Sequence, residues 1–339
     1  MSSFFKGKNI LVTGATGSIG SEIVRQLLQH DPKVVRVYSR DEHKQFLLQQ
    51  ELGVLPNVRY LLGNVRDSAR LESAAENIDL IFHAAAYKHV TSCEYNSFEA
   101  VKTNVLGTQN VIDVAMRQGV ERVLLVSTDK AVSPPNVMGA TKLLAEKLMI
   151  SAMHSKGSRK TQFACVRFGN VLGSRGSVIP VFASQIKKGG PVTVTDPEML
   201  RFFMSIESAS KLTLNAMEQM SGGEVFILKM PVIRLGDLAE VLIAELGNGS
   251  VQTEIMGARL GEKTNEVLMT HEEARYSEET DSMFIVRALH KLPGENIPDP
   301  KIYEGTKEYD SSSVTPLSKE DILALLKESF SDLSEITQS

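Results

Sequence analysis

Short apolar runs alternate with amphipathic segments along the first half of the chain. The apolar runs are rich in β-branched residues and predict strands at Asn9–Val12, Val34–Tyr38, Val58–Leu62, Leu80–Ala84, Arg122–Ser127 and Phe163–Phe168. Between them, apolar residues recur at helical spacing and predict helices at Ser18–Leu28, His43–Leu52, Ser68–Ala75, Phe98–Gln118 and Met138–His154. Strands that alternate with helices in this way predict an α/β fold with a parallel, doubly wound sheet.

The second half of the chain has a different composition and a less regular pattern. Loops rich in Gly, Ser, Pro and Arg follow Gly169, and they separate predicted helices at Ile179–Lys187, Glu207–Gln219 and Leu235–Leu246. Near the end, Ser318 is a predicted N-cap of an amphipathic helix. We therefore expect a first domain at residues 1–170 and a smaller α/β substrate-binding lobe with a C-terminal helix at residues 171–339. The pattern leaves open that later segments return to the first sheet.

The composition is that of a folded chain with an ordinary core. Of 339 residues, 42% are hydrophobic and 23% are charged, and the net charge of −4 argues against extended nucleic-acid binding. Two distant cysteines, an N-terminus without a signal-peptide pattern and the lack of a bilayer-length apolar run predict a cytoplasmic chain with no membrane span. Peripheral docking to a membrane complex stays open. Seven scattered histidines show no metal-ligand spacing, so no metal is expected.

A glycine-rich turn joins the first predicted strand to the first predicted helix. It reads Gly14-Ala15-Thr16-Gly17-Ser18-Ile19-Gly20. Glycines permit a tight turn and a close approach of the backbone, and the N-terminus of the following helix offers N–H donors to a pyrophosphate. The turn predicts a Rossmann-type dinucleotide-binding domain, with cofactor contacts from Gly14, Thr16, Gly17, Ser18, Ile19 and Gly20.

The end of the second strand indicates which dinucleotide binds. It reads Ser39-Arg40-Asp41, and Lys44 lies one helical turn further on. NAD sites usually place an acidic residue here for the ribose 2′-hydroxyl, whereas an arginine can grip a 2′-phosphate. The segment favours NADP, with Ser39, Arg40, Asp41 and Lys44 as contacts. A ribose contact from Asp41, or a merely solvated charged loop, stays open.

The segments that follow two later strands are expected to lie at the same site. Asn64 and Val65 follow the third strand, where the Asn64 amide can meet an adenine amine. Ala84, Ala85 and Ala86 follow the fourth, where small side chains leave room for sugar and phosphates. Both segments are therefore predicted cofactor contacts, with ordinary loop packing as the alternative.

The fifth strand leads into the candidate chemical centre. Thr128-Asp129-Lys130 follows it, and Met138-Gly139-Ala140-Thr141-Lys142 comes next. In short-chain dehydrogenases this region holds a Ser or Thr and then Tyr-x-x-x-Lys, in which the Lys lowers the pKa of a catalytic phenol. Lys142 stands at the Lys position, and Met138, which has no titratable proton, stands at the Tyr position. An inactive site, a misaligned motif or a neighbouring base can explain this, and Asp129 and Lys130 are the candidate base pair.

Four segments together resemble the polysaccharide-biosynthesis (CapD-like) branch of the extended short-chain dehydrogenases. They are His83–Val90, Ser127–Val132, Asn136–Lys142 and Arg167–Ser177, and the resemblance runs from about Lys8 to about Met269. Members of this branch include UDP-N-acetylglucosamine 4,6-dehydratases. The resemblance implies that NADP⁺ takes a hydride from C4 of a nucleotide-activated amino sugar, that water is lost across C5 and C6, and that the hydride returns to C6.

The resemblance also implies roles in the chemical centre. Lys130 is similar in position to the base at C5 and Asp129 to the acid that protonates the departing hydroxyl. Thr128 would hydrogen-bond O4, and Lys142 would hold the nicotinamide ribose. Met138 departs from the Tyr of the better-known inverting members and resembles the retaining members more. The base at O4 stays open, with Asp129, relayed by Thr128 or water, as the preferred candidate.

A pocket for the nucleotide diphosphate is a further implication of the resemblance. A diphosphate needs cations and amides to replace its hydration. The matching positions are Lys88, Asn170, Val178, Thr195, Arg201, Arg259 and Glu262, and Lys88 and Asn104 are also expected to contact the cofactor. At Thr264-Asn265-Glu266 the chain departs from the Leu-His-Glu of many members, which leaves UDP and GDP open.

Three functions are compatible with these motifs. We prefer a nucleotide-sugar 4,6-dehydratase that acts on UDP-GlcNAc or GDP-GlcNAc for surface polysaccharide or glycan biosynthesis. A C4 or C5 epimerase of the same fold needs no acid at O6, so Asp129-Lys130 argues against it. A non-catalytic NADP-binding sensor is kept open by Met138. By analogy with related folds, the helices Phe98–Gln118 and Met138–His154 are expected to form a homo-oligomer interface.

Overall fold

The computed structural model describes residues 3–174, 176–247, 249, 251–257, 261–287, 307–330 and 336. Arg259, an expected substrate contact, lies outside the described residues. The strands are β1 Asn9–Thr13, β2 Val34–Ser39, β3 Val58–Leu62, β4 Leu80–His83, β5 Arg122–Val126, β6 Gln162–Arg167, β7 Asn170–Val171, β8 Val192–Val194, β9 Leu200–Met204, β10 Val225–Leu228, β11 Val232–Arg234, β12 Thr253–Ile255, β13 Val267–Met269, β14 Ser277–Glu279, β15 Met283–Val286 and β16 Tyr309–Asp310.

Helices connect most of these strands. They are α1 Ser18–Leu28, α2 Glu42–Leu52, α3 Ser68–Ala75, α4 Val90–Tyr95, α5 Ser97–Ala100, α6 Gly107–Gln118, α7 Val137–Ser155, α8 Val178–Lys187, α9 Ile206–Gln219, α10 Leu235–Leu246, α11 His271–Ala274 and α12 Lys319–Ser329. A π-helical segment at Val101–Leu106 precedes α6, and a short 3₁₀ turn at Asp129–Ala131 follows β5. In the described part of the chain, none of the helices is both long and apolar enough to cross a bilayer.

Nine strands form one large sheet in the order β14-β15-β10-β6-β5-β4-β1-β2-β3. The seven strands from β10 to β3 in that order run parallel, and β15 and β14 extend the sheet in antiparallel pairing. The strand order turns back between β1 and β4. Open α/β sheets form a ligand crevice at such a point, outside the carboxyl ends of the strands. The predicted doubly wound Rossmann-type fold is confirmed.

The central strands are covered on both faces, which explains their unbroken apolar runs. In β1, Ile10, Leu11 and Val12 are fully buried. Ile23 and Leu27 form part of the buried side of α1, as their helical spacing predicted, and α1 packs against α9. Helix α6 packs against both α3 and α7. The alternation of strand and helix therefore produces one core around the sheet.

Segments beyond residue 170 contribute to the large sheet and to a second core. Strands β10, β14 and β15 join the large sheet, so the chain returns to the first lobe after leaving it. The second core includes buried Ile179 and Phe203 and is surrounded by α8, α10, α12 and the small sheets β11-β9-β7 and β12-β8. The Ser318 side chain caps α12, as predicted, and Ile322 and Leu326 pack into this core.

The helix predicted at Phe98–Gln118 is interrupted. The structure forms α5, then the π-helical segment, and only then α6. The wider winding accompanies an inward side chain, because buried Asn104 accepts a hydrogen bond from Tyr87 N at 2.8 Å and donates to Tyr87 O at 3.1 Å. Apolar periodicity did not reveal this insertion, since the flanking turns keep the apolar spacing of an α-helix.

Candidate active site

A cleft of about 1540 Å³ opens at the carboxyl ends of the parallel strands and is lined from both halves of the chain. Its walls include every predicted site residue of the described chain except Asn104 and Asp129. The strand ends thus gather segments that are far apart in sequence, as expected for a sheet of this topology.

The glycine-rich turn lies in this cleft beside the end of β4. Gly14 has φ +67°, and a Cβ there would lie 2.6 Å from Ala85 N. A Cβ at Gly20 would lie 2.3 Å from Gly14 O, so neither position accepts a larger residue. Gly17, the N-cap of α1, supplies no side-chain hydrogen bond, which leaves the first N–H groups of α1 available to an anion. The turn has the close backbone approach that a dinucleotide pyrophosphate requires.

The end of β2 is tied to this turn. Ser39 Oγ and Thr16 Oγ1 share a hydrogen bond of 2.8 Å. Asp41 caps α2: its carboxylate accepts from Lys44 N at 3.0 Å and pairs with Lys44 Nζ at 3.1 Å. The hydrogen bond from the Lys44 backbone, reinforced by the Lys44 side chain, lowers the pKa of Asp41. The carboxylate that an NAD site would turn toward a ribose is therefore engaged in holding α2.

Arg40 reaches from the end of β2 to Tyr87. Its Nη1 donates to the Tyr87 hydroxyl at 2.7 Å, and its guanidinium carbon lies 4.9 Å from the ring centroid. Asn104, expected as a cofactor contact, is 1% exposed and stands behind Tyr87 instead of on the cleft wall. Its side-chain amide is used by the Tyr87 backbone and by Thr141 Oγ1, so Asn104 acts on the site through Tyr87.

The segments after β3 and β4, which were predicted to contact the cofactor, line the cleft. Asn64 Oδ1 accepts from Arg66 N at 3.1 Å, which shapes the turn after β3. Ala84 N donates to Thr13 O at 3.1 Å, which continues the sheet pairing one residue past β4. The small alanines that follow bring the β4 loop close to the glycine-rich turn.

Thr128, Asp129 and Lys130 form one hydrogen-bonded unit after β5. Asp129 Oδ1 accepts from Thr128 Oγ1 at 2.7 Å and from Lys130 Nζ at 3.0 Å. Asp129 is fully buried behind the wall, whereas Thr128 and Lys130 line the cleft. Asp129 N also donates to Phe168 O at 3.2 Å, which fixes the turn. Asp129 therefore reaches the cleft through the two side chains that it holds.

The pKa values of the two lysines at the chemical centre, Lys130 and Lys142, are shifted in opposite directions. Burial lowers the pKa of Lys130, but the carboxylates of Asp129 and Glu266 outweigh it, and the pKa of Lys130 is raised. Burial lowers the pKa of Lys142 to about 8. Lys142 Nζ donates to Val126 O at 2.7 Å, so its ammonium lies at the end of β5. Perturbed titrating groups that share a cleft are typical of catalytic sites.

Met138 lies on the cleft wall in the first turn of α7, one turn before Lys142. It is 3% exposed and packs in an apolar cluster with Cys93 and Ala100. A thioether holds no titratable proton, so Met138 itself cannot act as an acid or a base.

Arg201 organises the part of the cleft that is formed by β9 and residues 262–266. Its guanidinium donates to Lys263 O at 2.7 Å and to Thr264 O at 2.8 Å. It lies 3.6 Å from Glu262 Oε1, which also accepts from Thr195 Oγ1 at 3.4 Å. Arg201 thereby holds the 262–266 segment against β9. Three further predicted substrate contacts line the cleft from β7, the start of α8 and the β4 loop: Asn170, Val178 and Lys88.

The fold adds Glu266 to the cleft, a residue to which the sequence assigned no role. Burial, reinforced by the charge of Asp129, raises the pKa of Glu266. Glu266 lies near Asp129 and Lys130 because β13, which directly follows Glu266, packs against the 3₁₀ turn that carries them. No local pattern predicts a contact between segments so far apart, and the sequence signal at Glu266 was its agreement with the last residue of the Leu-His-Glu pattern.

The fold and the site define an extended short-chain dehydrogenase/reductase: a doubly wound sheet, a glycine-rich cradle, and a Thr-Asp-Lys unit with a helix-borne lysine in one cleft. Residues 10–288 match the family described as "Polysaccharide biosynthesis protein", and the chain belongs to that family. The resemblance seen in the motifs is confirmed.

Individual relatives cover most of the chain. A UDP-N-acetylglucosamine 4,6-dehydratase (inverting) of Campylobacter jejuni is 42% identical over 284 residues, 83% of this chain and 83% of its own. A UDP-glucose 4-epimerase of Rickettsia rickettsii is 36% identical over 335 residues, 95% of this chain and 96% of its own. The solved structure of Pen from Bacillus thuringiensis is 49% identical with a TM-score of 0.89, covering 96% of this chain and 98% of that chain. The family is thus one of nucleotide-sugar dehydratases and epimerases.

Proposed function

We propose that the protein is an NADP-dependent UDP-GlcNAc 4,6-dehydratase of surface polysaccharide or glycan biosynthesis. The observation that carries the proposal is the hydrogen-bonded Thr128–Asp129–Lys130 unit beside the dinucleotide cradle. Removal of water across C5 and C6 needs acid–base groups at a sugar that is also oxidised at C4. This unit offers a hydroxyl, a carboxylate and an amine in that place.

The end of β2 supports NADP as the cofactor. The Arg40 guanidinium is held by Tyr87, and Asp41 is engaged with α2 and Lys44. A planar guanidinium suits a 2′-phosphate, whereas a 2′-hydroxyl would call for a carboxylate that faces the cleft. The bound cofactor supplies the hydride acceptor for C4. Gly14 and Gly20 would let its pyrophosphate approach the backbone, and Lys142 would hold the nicotinamide ribose.

In this proposal Thr128 and Asp129 together take the proton from the C4 hydroxyl. The Thr128 hydroxyl lines the cleft and donates to Asp129 Oδ1 at 2.7 Å, so it can accept the O4 proton while it passes its own to Asp129. This relay replaces the phenol that Met138 cannot supply. It gives buried Asp129 a role as the base at O4.

Lys130 serves C5. As a neutral amine it takes the C5 proton, which is acidic once C4 is a ketone, and as an ammonium it returns a proton to C5. The hydrogen bond to Asp129 Oδ1 at 3.0 Å orients the amine, and the proton that Asp129 takes from O4 removes one of the two negative charges that raise the pKa of Lys130. Over the whole cycle the sugar loses one water and is neither oxidised nor reduced.

Two relatives support a UDP-linked sugar over a GDP-linked one, since the names of the Campylobacter and Rickettsia proteins both specify UDP. The epimerase is the second candidate function, because the Rickettsia protein aligns with nearly the whole chain. A C4 epimerase needs no base at C5, so the base that we propose in Lys130 has a use only in the dehydratase.

The test is a mass measurement with two substrates. The pure protein is incubated with UDP-GlcNAc and, separately, with GDP-GlcNAc, and we expect UDP-GlcNAc to lose the mass of one water molecule. Lys130→Ala should abolish this loss and still bind NADP, because Lys130 is not among the proposed contacts of the cofactor. An unchanged mass with a new C4 configuration would identify an epimerase, and no change with either substrate would identify a sensor. The C5 configuration of the product decides between inversion and retention.

Exposed apolar side chains support self-association of the α4–α7 face. Tyr95 and Phe98 are 92% and 66% exposed, and Leu106 and Leu144 are about half exposed on the same group of packed helices. An apolar patch of this kind is typical of a protein interface. Sedimentation equilibrium should show a homo-oligomer that Phe98→Asp weakens.

A further inference from the structure

The ring of Tyr87 contacts side chains from two other strand ends. The central guanidinium carbons of Arg40, which follows β2, and of Arg66, in the turn after β3, lie 4.9 Å and 5.7 Å from the Tyr87 ring centroid. Arg40 Nη1 also donates to the Tyr87 hydroxyl at 2.7 Å, and Tyr87 itself follows β4. Guanidinium groups at such distances are attracted to the face of an aromatic ring. The ring therefore connects the loops after β2, β3 and β4.

The contact between Arg40 and Tyr87 lies where the adenosine half of a dinucleotide would bind. Strands β2 and β4 are the two neighbours of β1, and the glycine-rich turn that would hold the pyrophosphate follows β1. Arg40 and Tyr87 line the cleft, as does Asn64, the predicted contact of the adenine. The contact therefore joins the two loops between which a dinucleotide would reach the glycine-rich turn.

The π-helical segment holds Tyr87 and Arg66 in place. Thr103 Oγ1 accepts from Arg66 Nε at 2.8 Å and from Arg66 Nη2 at 2.6 Å. The next residue, Asn104, bonds Tyr87 N and O at 2.8 Å and 3.1 Å. Thr103 and Asn104 are 7% and 1% exposed, so both anchors are buried. Insertions of π-helical geometry often occur at functional sites, and this one fixes two of the three side chains together.

Arg40 is the member of this group that can move. Its side chain is exposed at the end of β2, whereas Tyr87 and Arg66 are held by the buried anchors. Exposed side chains change rotamer within picoseconds to nanoseconds. Rotation of the Arg40 side chain therefore opens the contact, and neither loop has to unfold.

We propose that Tyr87 is a cofactor-retaining residue, and that Arg40 and Tyr87 form a clasp that opens to admit or release the dinucleotide. Arg66 and the π-helical segment hold the Tyr87 side of the clasp. Because the same contact closes the empty and the occupied site, the clasp slows entry and release alike. A 2′-phosphate bound to Arg40 further stabilises the closed state.

Retention of the cofactor has a use in the proposed dehydration, and this part of the inference rests on that proposed function. Between removal of hydride from C4 and its return to C6, the sugar becomes an unsaturated ketone, which is reduced only if the cofactor stays bound. A clasp that is closed over this interval prevents loss of the hydride. The clasp itself rests only on dinucleotide binding.

The test measures the rates of dinucleotide binding and release without any sugar. Stopped-flow fluorescence follows NADH and NADPH with wild-type protein, Tyr87→Phe and Arg40→Ala. NADH has no 2′-phosphate, so its rates report on the clasp and not on recognition of that group. With NADH, the hydrogen bond lost in Tyr87→Phe should raise both rate constants by roughly 2- to 10-fold and leave Kd unchanged. Arg40→Ala should raise both further, since it also removes the ring contact. With NADPH, release should rise more than binding.

Tyr60→Phe is the matched control. Tyr60 lies on β3, and its hydroxyl has no hydrogen-bond partner within the described part of the chain. Its removal should leave both NADH rate constants at the wild-type values. Arg40 is exposed, so Arg40→Ala keeps the test valid if Tyr87→Phe is unstable.

NADH rate constants that stay at the wild-type values in Tyr87→Phe and Arg40→Ala would overturn the inference. Slower NADH release in either variant would also overturn it, because the side chains would then occupy the adenosine site. A wild-type protein that binds neither dinucleotide would exclude the clasp as well. A rise of both NADH rate constants, with no loss of water from UDP-GlcNAc, would support the clasp and refute the dehydratase.

Discussion

The Arg40 guanidinium donates to the Tyr87 hydroxyl at 2.7 Å and lies with its central carbon 4.9 Å from the Tyr87 ring centroid. The contact joins the loops after β2 and β4, the two neighbours of β1 in the sheet. Asn104 in turn holds the Tyr87 backbone through both its N–H and its carbonyl. A guanidinium fixed in this way loses little side-chain freedom when it binds a phosphate.

Tyr87→Phe should therefore weaken NADP binding and leave NAD binding unchanged. The loss of one hydrogen bond of about 0.5–1.5 kcal/mol corresponds to roughly 2- to 10-fold in Kd. Arg40→Ala removes the charge as well and should cost about 10-fold or more. Calorimetric titration with both dinucleotides measures this, and NAD serves as the internal control. Equal losses of affinity for NAD and NADP would show that Arg40 and Tyr87 do not contribute to binding of the 2′-phosphate.

The affinity for NADP should fall above about pH 8. Burial lowers the pKa of Lys142 to about 8, below its ordinary value of 10.5. A cofactor that accepts a hydrogen bond from the Lys142 ammonium favours the charged form, so binding raises that pKa and takes up a proton above pH 8. The Kd should be flat below about pH 8 and rise by up to about tenfold per pH unit above it. Lys142→Met should bind more weakly and show no such rise. A wild-type Kd that stays constant through this range would contradict the assignment of Lys142 to the ribose.

Met138→Tyr should be tolerated, because the proposed base at O4 lies elsewhere. Met138 is 3% exposed among Cys93 and Ala100, so the added ring volume will cost some stability, about 1–3 kcal/mol. Thr128→Val, which keeps the shape of the side chain, should instead lower kcat by about 100-fold. Initial rates of keto-product formation measure both variants, with melting temperatures to separate folding from turnover. A Thr128→Val enzyme with a normal rate would exclude the hydroxyl relay.

Arg167→Ala should destabilise the protein strongly. Arg167 on β6 is 2% exposed and bonds Glu146 of α7 at 2.7 Å and Glu273 of α11 at 2.8 Å. Its removal leaves two buried carboxylates without their cation, which typically costs about 3–5 kcal/mol. Lys8→Ala, which breaks the exposed pair with Glu121, is the control and should cost about 1 kcal/mol or less. Denaturant unfolding compares them, and equal midpoints would contradict the buried network.

The sheet, the glycine-rich turn and the Thr-Asp-Lys segment could be predicted from the sequence because each depends on residues that lie close together along the chain. Strand and helix alternation needs only hydrophobic periodicity, and the glycines of the first turn are required by backbone geometry within one segment. Asn104 and Glu266 were harder, because their environments depend on packing between distant segments. The inward turn of Asn104 follows from a π-helical insertion, and the place of Glu266 follows from the return of β13 to the 3₁₀ turn. Burial of Asp129 behind Thr128 and Lys130 likewise appears only in three dimensions.

The most direct test of the central claim follows the hydrogen at C4. The protein is given UDP-GlcNAc that carries deuterium at C4, and the product is analysed by NMR. The account predicts a 4-keto product that has lost one water and carries the deuterium at C6. Deuterium that remains at C4 of an epimerised sugar, or substrate recovered unchanged, would contradict it.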